Sequence, residues 1–249
     1  MEIRNNLWSG DNYWIYKNTM IVKSTFNHQL YQLINIMEKY NINQLIFSDN
    51  KYFYETLKDI DENIYPELFV TDEKVCKLTK NISGSKFNQT TDNIPEFIKK
   101  ITFGQNFVQS VDNLSSNITH LSFTPSSIFN NTIENLPCLL THLVLGNKFD
   151  QSINNLPQKL NYLVLGQNFS QLINNIPHSI EYLVLHEKYN LITNKFPSNL
   201  KTIICNKEFA KIHELTKYKL EKNNIIYEKD KKKYFTSYIF TFCINSFYK

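Results

Sequence analysis

Apolar positions recur along this chain with a period near 20. A phenylalanine or tyrosine opens each copy, at Phe87, Phe107, Phe129, Phe149, Phe169 and Tyr189, with Phe209 where a seventh would begin; the spacings are 20, 22, 20, 20, 20 and 20 residues. A fixed period of this size marks a supersecondary unit that cannot bury its apolar face alone, so that stacked neighbours must share one continuous core. The pattern therefore predicts a repeat solenoid.

Aligned on their aromatics, the copies form columns. Val111, Ile133, Ile153 and Ile173 make the next apolar column, with Thr91 and Thr193 at its ends, followed by Ile94, Leu114, Leu136, Leu156, Ile176 and Phe196. A proline column follows, Pro95, Pro137, Pro157, Pro177 and Pro197, interrupted by Ser115. The last two apolar columns stand two residues apart, as in Leu143-Val144-Leu145, with a third three residues upstream, as in Leu140. Spacing of two is strand period, so each copy predicts a short strand facing a core, entered through a turn. Gly104, Gly146 and Gly166 follow, where a missing Cβ lets the chain leave the strand sharply. Proline fixes φ on the return path, and a copy this short has no room there for a full helix.

The run Phe149-Asp-Gln-Ser-Ile-Asn-Asn-Leu-Pro157 followed by Leu160-Asn-Tyr-Leu-Val-Leu-Gly166 resembles the FNIP repeat, a short relative of the leucine-rich repeat found in amoebae and in giant DNA viruses. The copy at Phe107 lacks the proline and the LxLG ending, and the copy at Tyr189 ends in Ile-Ile-Cys. The resemblance implies a leucine-rich-repeat-like solenoid, with a parallel sheet of short strands on its concave side and little or no helix in the repeats. Some FNIP proteins carry an F-box at the N-terminus, which would make the chain a substrate-recognition adaptor for a ubiquitin ligase. In this chain the first 50 residues show a single amphipathic helix between strand-like segments, not a three-helix pattern.

Three regions are expected. Residues 1–86 read as a mixed α/β N-terminal cap: a hairpin around Lys17-Asn-Thr, then a helix over 25–40 with Phe26, Leu30, Leu33, Ile34 and Met37 at helical spacing and Ser24 or Thr25 as N-cap. A strand at Asn43-Gln-Leu-Ile-Phe47 and an imperfect repeat at Asn63-Ile-Tyr-Pro66 complete it. Residues 87–208 hold six repeats. Residues 209–249 form a C-terminal cap, helical over 208–222 and strand-like over 224–227, with a basic and aromatic tail.

Composition adds mostly exclusions. The net charge of +4 from 27 basic and 23 acidic residues sets up no strong field towards nucleic acid. Cys76, Cys138, Cys205 and Cys243 have no zinc-knuckle or redox spacing and read as reduced thiols. With no signal-like start and no run of membrane-spanning length, the sequence points to an intracellular, cytoplasmic protein, in the host cell if it is viral.

Nothing in the pattern assembles a catalytic constellation or a cofactor motif, so neither an enzyme nor a cofactor is expected. His120 and His142 occupy the same strand position in consecutive copies and should stack as surface residues rather than hold a metal. Lys229-Asp-Lys-Lys-Lys233 reads as a solvated turn; the alternative is nucleic-acid binding through this basic C-terminal segment, its lysines gripping phosphate and the aromatics after it stacking on bases. The strand residues that face away from the core are the informative ones: His142, Val144, Tyr162, Val164, Tyr182, Val184 and Ile204. Branched aliphatics beside aromatics, exposed on a concave sheet, make up a protein-binding surface. The sequence thus indicates an interaction scaffold for an unidentified protein, and leaves its oligomeric state open.

Overall fold

A computed structural model describes residues 2–3, 7–47, 84–186, 188–193, 195–214 and 225–227. The expected repeat at Asn63 and the aromatic tail fall outside these residues. Twelve short strands form one sheet in sequence order: β1 (Glu2–Ile3), β2 (Leu7–Ser9), β3 (Tyr13–Tyr16), β4 (Thr19–Val22), β5 (Gln44–Phe47), β6 (Lys100–Phe103), β7 (His120–Phe123), β8 (His142–Val144), β9 (Tyr162–Val164), β10 (Tyr182–Val184), β11 (Thr202–Cys205) and β12 (Ile225–Tyr227). The first three pairings are antiparallel and all those from β4 to β12 are parallel. This is the leucine-rich-repeat-like solenoid that the period implies, with its parallel sheet on the concave side.

Register follows the columns. Leu121, Leu143, Leu163, Leu183 and Ile203 face one another across adjacent strands, and all are fully buried. The return path is built of two successive tight turns. In the first, Leu114 N donates to Val111 O and Ile176 N to Ile173 O; in the second, Leu140, Leu160, Ile180 and Leu200 N–H donate to the carbonyls of Pro137, Pro157, Pro177 and Pro197. Proline opens that second turn, and Ser115 substitutes for it because only its carbonyl is needed, by Ile118 N.

The aromatics that open the copies form a continuous spine inside the core. Phe87, Phe107, Phe129, Phe149, Phe169 and Tyr189 stack at centroid distances of 6.2, 6.2, 6.2, 6.3 and 6.0 Å. Phe26 extends it, 6.3 Å from Phe87 with planes 8° apart, and Asn27 Oδ1 accepts from Asn88 N as Asn88 Oδ1 accepts from Val108 N. The helix expected over 25–40 is therefore shorter. It runs as a 3-10 turn over Leu30–Leu33 and then α1 (Ile34–Lys39), with Gln29 as N-cap and no side-chain capping bond. Phe26-Asn27 belongs instead to a repeat copy whose return path is helical and whose strand is β5. Gly84-Ser85-Lys86-Phe87 is the counterpart of Gly146-Asn-Lys-Phe149, and strands β5 and β6, on either side of residues 48–83 in the sequence, pair directly.

At the other end, α2 (Lys207–Ile212) starts at Asn206, whose side chain accepts from Phe209 N, and places Phe209 at the end of the spine. Glycine at the strand exits serves close approach rather than a left-handed backbone, since no described glycine has positive φ. A Cβ on Gly166 would sit 2.2 Å from the Gly146 carbonyl oxygen, inside any tolerable contact.

Candidate interaction face

On the side of the sheet away from the core, Lys100, His120, His142, Tyr162, Tyr182 and Thr202 form one column in register. Ser122, Val144, Val164, Val184 and Ile204 form the next. Val144, Tyr162, Val164, Val184 and Ile204 make an apolar cluster distinct from the main core, with Tyr182 packed against it. The structure thus brings together six of the seven residues the pattern singles out as one patch, and His142 joins them through its ring, 5.3 Å from that of Tyr162.

Their exposure differs from the expectation. Val164 is only 1% exposed and Tyr162 4%, where open sheet residues were expected. Neighbours in register about 4.8 Å away cover a side chain's flanks, but on an open face they leave its outer end in water. The face is apolar and outward, as the alternation requires, and its centre is buried while His142 and Tyr182 at the margin are half-exposed.

The two histidines stack with centroids 4.1 Å apart and planes 9° from parallel. Thr141 Oγ1 donates to Thr119 O and lies 2.9 Å from His142 Nδ1; Thr119 Oγ1 donates to Lys99 O and lies 2.8 Å from His120 Nδ1. A hydroxyl has one proton, so where a threonine gives it to the carbonyl the neutral imidazole is the donor at Nδ1 and its Nε2 is an acceptor. Parallel rings aim their Nε2 lone pairs side by side, not at a common point. Among the described residues no group of three histidines, cysteines or acids is placed to hold a metal.

Burial, and secondarily the Lys100 ammonium, pushes the His142 pKa down to about 4. Lys100 itself is lowered by burial. The unfolded chain takes up a proton at the ordinary value of 6.5 while the folded ring stays neutral, so this residue's contribution is present above pH 6.5 and lost as pH falls towards 4. With its partial exposure discounted, the effect is on the order of 2 kcal/mol. His142→Tyr, which continues the tyrosine column, should flatten the fall of melting temperature between pH 6.5 and pH 4. Parallel profiles for the two proteins would show that the ring is not desolvated.

Elsewhere, a shallow cleft of ≈ 190 Å³ on the return path is lined by polar side chains such as Asn174, His178 and Lys195. Cys138 is exposed and Cys205 is buried in the column that other rungs fill with leucine or phenylalanine. Lys229-Asp-Lys-Lys-Lys233 lies outside the described residues. Two features escaped the sequence pattern. Lys100 heads the histidine column, visible once copies are aligned on the residue before each inward strand position. Leu172, Ile192 and Ile212 stand three residues after successive spine aromatics, 54%, 66% and 48% exposed, where earlier copies carry Ser110, Thr132 and Ser152.

The FNIP repeat model matches residues 152–188, which contain β9, β10 and the turns between them. Over those residues the chain matches the FNIP repeat. A giant-virus protein, CroV588, solved as a novel circular leucine-rich-repeat structure, shares the fold with a TM-score of 0.51 at 24% identity. The overlap covers 80% of this chain and 29% of that protein, so the chain spans less than a third of its length. No curated protein matches the sequence. No helix among the described residues is long and apolar enough to cross a membrane.

Proposed function

We propose that this FNIP-repeat chain is a non-enzymatic interaction scaffold that holds a partner protein on the concave face of β8 to β11. The observation that carries this reading is the second apolar cluster, Val144, Tyr162, Val164, Val184 and Ile204, gathered on the sheet face opposite the core. Solenoid stability needs apolar residues on the inner face only, so an outward band of large ones is surplus to folding and matches the apolar centre of a recognition surface. His142 and Tyr182, half-buried at its margin, add an acceptor edge and an amphipathic ring.

A partner recovered with the full-length protein from the native host cell provides the test. The double variant His142→Ala, Tyr182→Ala should weaken its binding at least about tenfold, the effect of 1.4 kcal/mol, at unchanged circular dichroism. Leu172→Ser, on the return path, should bind as wild type. Binding that survives the double variant removes the concave face from the function. Binding lost steeply with salt would point instead to phosphate contacts, because apolar contacts do not weaken in that way.

A further inference from the structure

We infer that the outer corner of the last three rungs, where Leu172, Ile192 and Ile212 stand beside Lys195 and Lys211, is a second docking surface, and that it takes an acidic amphipathic helix of a partner protein. The copies of the repeat are internal controls for one another. Three residues after the spine aromatic, the rungs opened by Phe107, Phe129 and Phe149 carry Ser110, Thr132 and Ser152, so a small polar residue satisfies folding there. The next three rungs carry Leu172, Ile192 and Ile212 and leave them 54%, 66% and 48% exposed. Six residues after the aromatic, asparagine recurs at Asn113, Asn135, Asn155 and Asn175, and Lys195 breaks that column on the rung of Ile192. Two residues after the aromatic, Gln151 and Gln171 give way to Leu191 and then to Lys211, next to Ile212. Lys195 and Lys211 are both exposed. Apolar and cationic departures from the repeat thus coincide at one corner, which is the composition of a recognition surface and not of a fold requirement.

Bonds between rungs bring the three aliphatics into line. The Tyr189 hydroxyl donates to Gln171 O and Thr193 Oγ1 donates to Asn174 Oδ1, which sets Ile192 beside Leu172. His213 Nε2, one residue after Ile212, lies 3.3 Å from Leu191 O, one residue before Ile192. Spine rings stand 6.0 and 5.6 Å apart over these rungs, so one aliphatic recurs roughly every 6 Å. A helix rises 5.4 Å per turn and lines up its i, i+4 and i+7 side chains at that interval, one per rung. An extended segment repeats a face about every 6.6 Å and needs backbone partners as well. This corner lies off the sheet, and Asp150 Oδ1 already accepts from Ser170 N. A helix bonds its own backbone and asks only for side-chain contacts. The sign of its charge follows from the shallow cleft of ≈ 190 Å³ lined by Asn174, His178 and Lys195, which begins two residues after Leu172 and reaches three residues past Ile192. An acidic side chain there meets an ammonium and amide donors together. The nearby acids, Glu208 and Glu214, sit on α2 and just after it, so the pairing centres on Lys195. A second copy would set these lysines against their own kind, and a strip one residue wide gives a bilayer no broad face to rest on.

Fluorescence anisotropy with the full chain tests this, independently of the concave face. The probe is a fluorescein-labelled helical peptide with leucine at i, i+4 and i+7 and glutamate on the flanking positions, and its control carries lysine for glutamate. The glutamate peptide is expected to bind at least about tenfold more tightly than the control. Leu172→Ser with Ile192→Ser, which returns both positions to the type of earlier rungs, should weaken it at least about tenfold at unchanged melting temperature. Lys195→Asn with Lys211→Gln, which restores the asparagine and glutamine columns, should bring the two peptides level, and this reading does not depend on how the serine variant folds. The variant His142→Ala, Tyr182→Ala should bind the peptide as wild type; a loss there would place the peptide on the concave face and overturn the inference. No binding of the glutamate peptide, equal binding of both peptides to wild type, or undiminished binding by the serine variant also overturn it. So does sedimentation that turns from dimer to monomer in the serine variant, which would make a second copy the occupant. So do phosphatidylserine vesicles that carry down wild type and not that variant, which would make it a membrane.

Discussion

Phe169→Ala is expected to destabilise the protein by on the order of 3–5 kcal/mol and to melt the middle of the array first. Phe169 stacks 6.3 Å from Phe149 and 6.0 Å from Tyr189, and Phe149 is completely buried. Each ring thus fills the same layer in its rung and floors the next, so its loss leaves a cavity that two rungs share. Because stability in a stacked array is carried by nearest-neighbour interfaces, the damage divides the array rather than fraying an end. The comparison is Leu172→Ala in the same repeat, where the side chain is 54% exposed and little should change. Equal melting temperatures for wild type and Phe169→Ala would remove the spine as a source of stability.

The spine also shows how far the sequence could be read. Wherever copies keep register, column position predicts side-chain direction, and the structure places Leu143, Leu163 and Leu183 inward and Val144, Val164 and Val184 outward as alternation demands. Legibility lapsed where two periodicities competed. Phe26, Leu30, Leu33 and Met37 satisfy helical spacing, but Phe26 also heads a Phe-Asn pair like Phe87-Asn88, and stacking on Phe87 decides its place. Helix spacing is a local signal worth tenths of a kcal/mol per residue, about tenfold less than burying a phenylalanine in a preformed layer. The glycines lapsed differently: their need comes from a carbonyl one rung away, which no local rule contains. The burial of Val164 and Tyr162 was illegible too, since alternation reports which way a side chain points and nothing about how much of it meets water.

That burial changes what a charge on each strand residue should do. On an open face Val164→Lys would leave its ammonium in water and change stability by no more than about 1 kcal/mol. At 1% exposure the lysine is desolvated instead, and a loss on the order of 3 kcal/mol is expected. Leu163→Lys, one residue earlier and fully buried in the core, has no escape short of unfolding its rung and should be the worse of the two. Val164→Lys points away from the core and lies beside the half-buried Tyr182, so its ammonium has a shorter path to water. Tyr182→Lys, at the half-buried margin, can carry its charge to solvent along an aliphatic stem and should stay within about 1 kcal/mol. The order Leu163→Lys, Val164→Lys, Tyr182→Lys, from most to least destabilising, is measured by denaturant midpoints at constant slope. A Val164→Lys protein as stable as Tyr182→Lys would mean that the concave face stands open to water in solution. The apolar band would then meet a partner at its centre as well as at its margin.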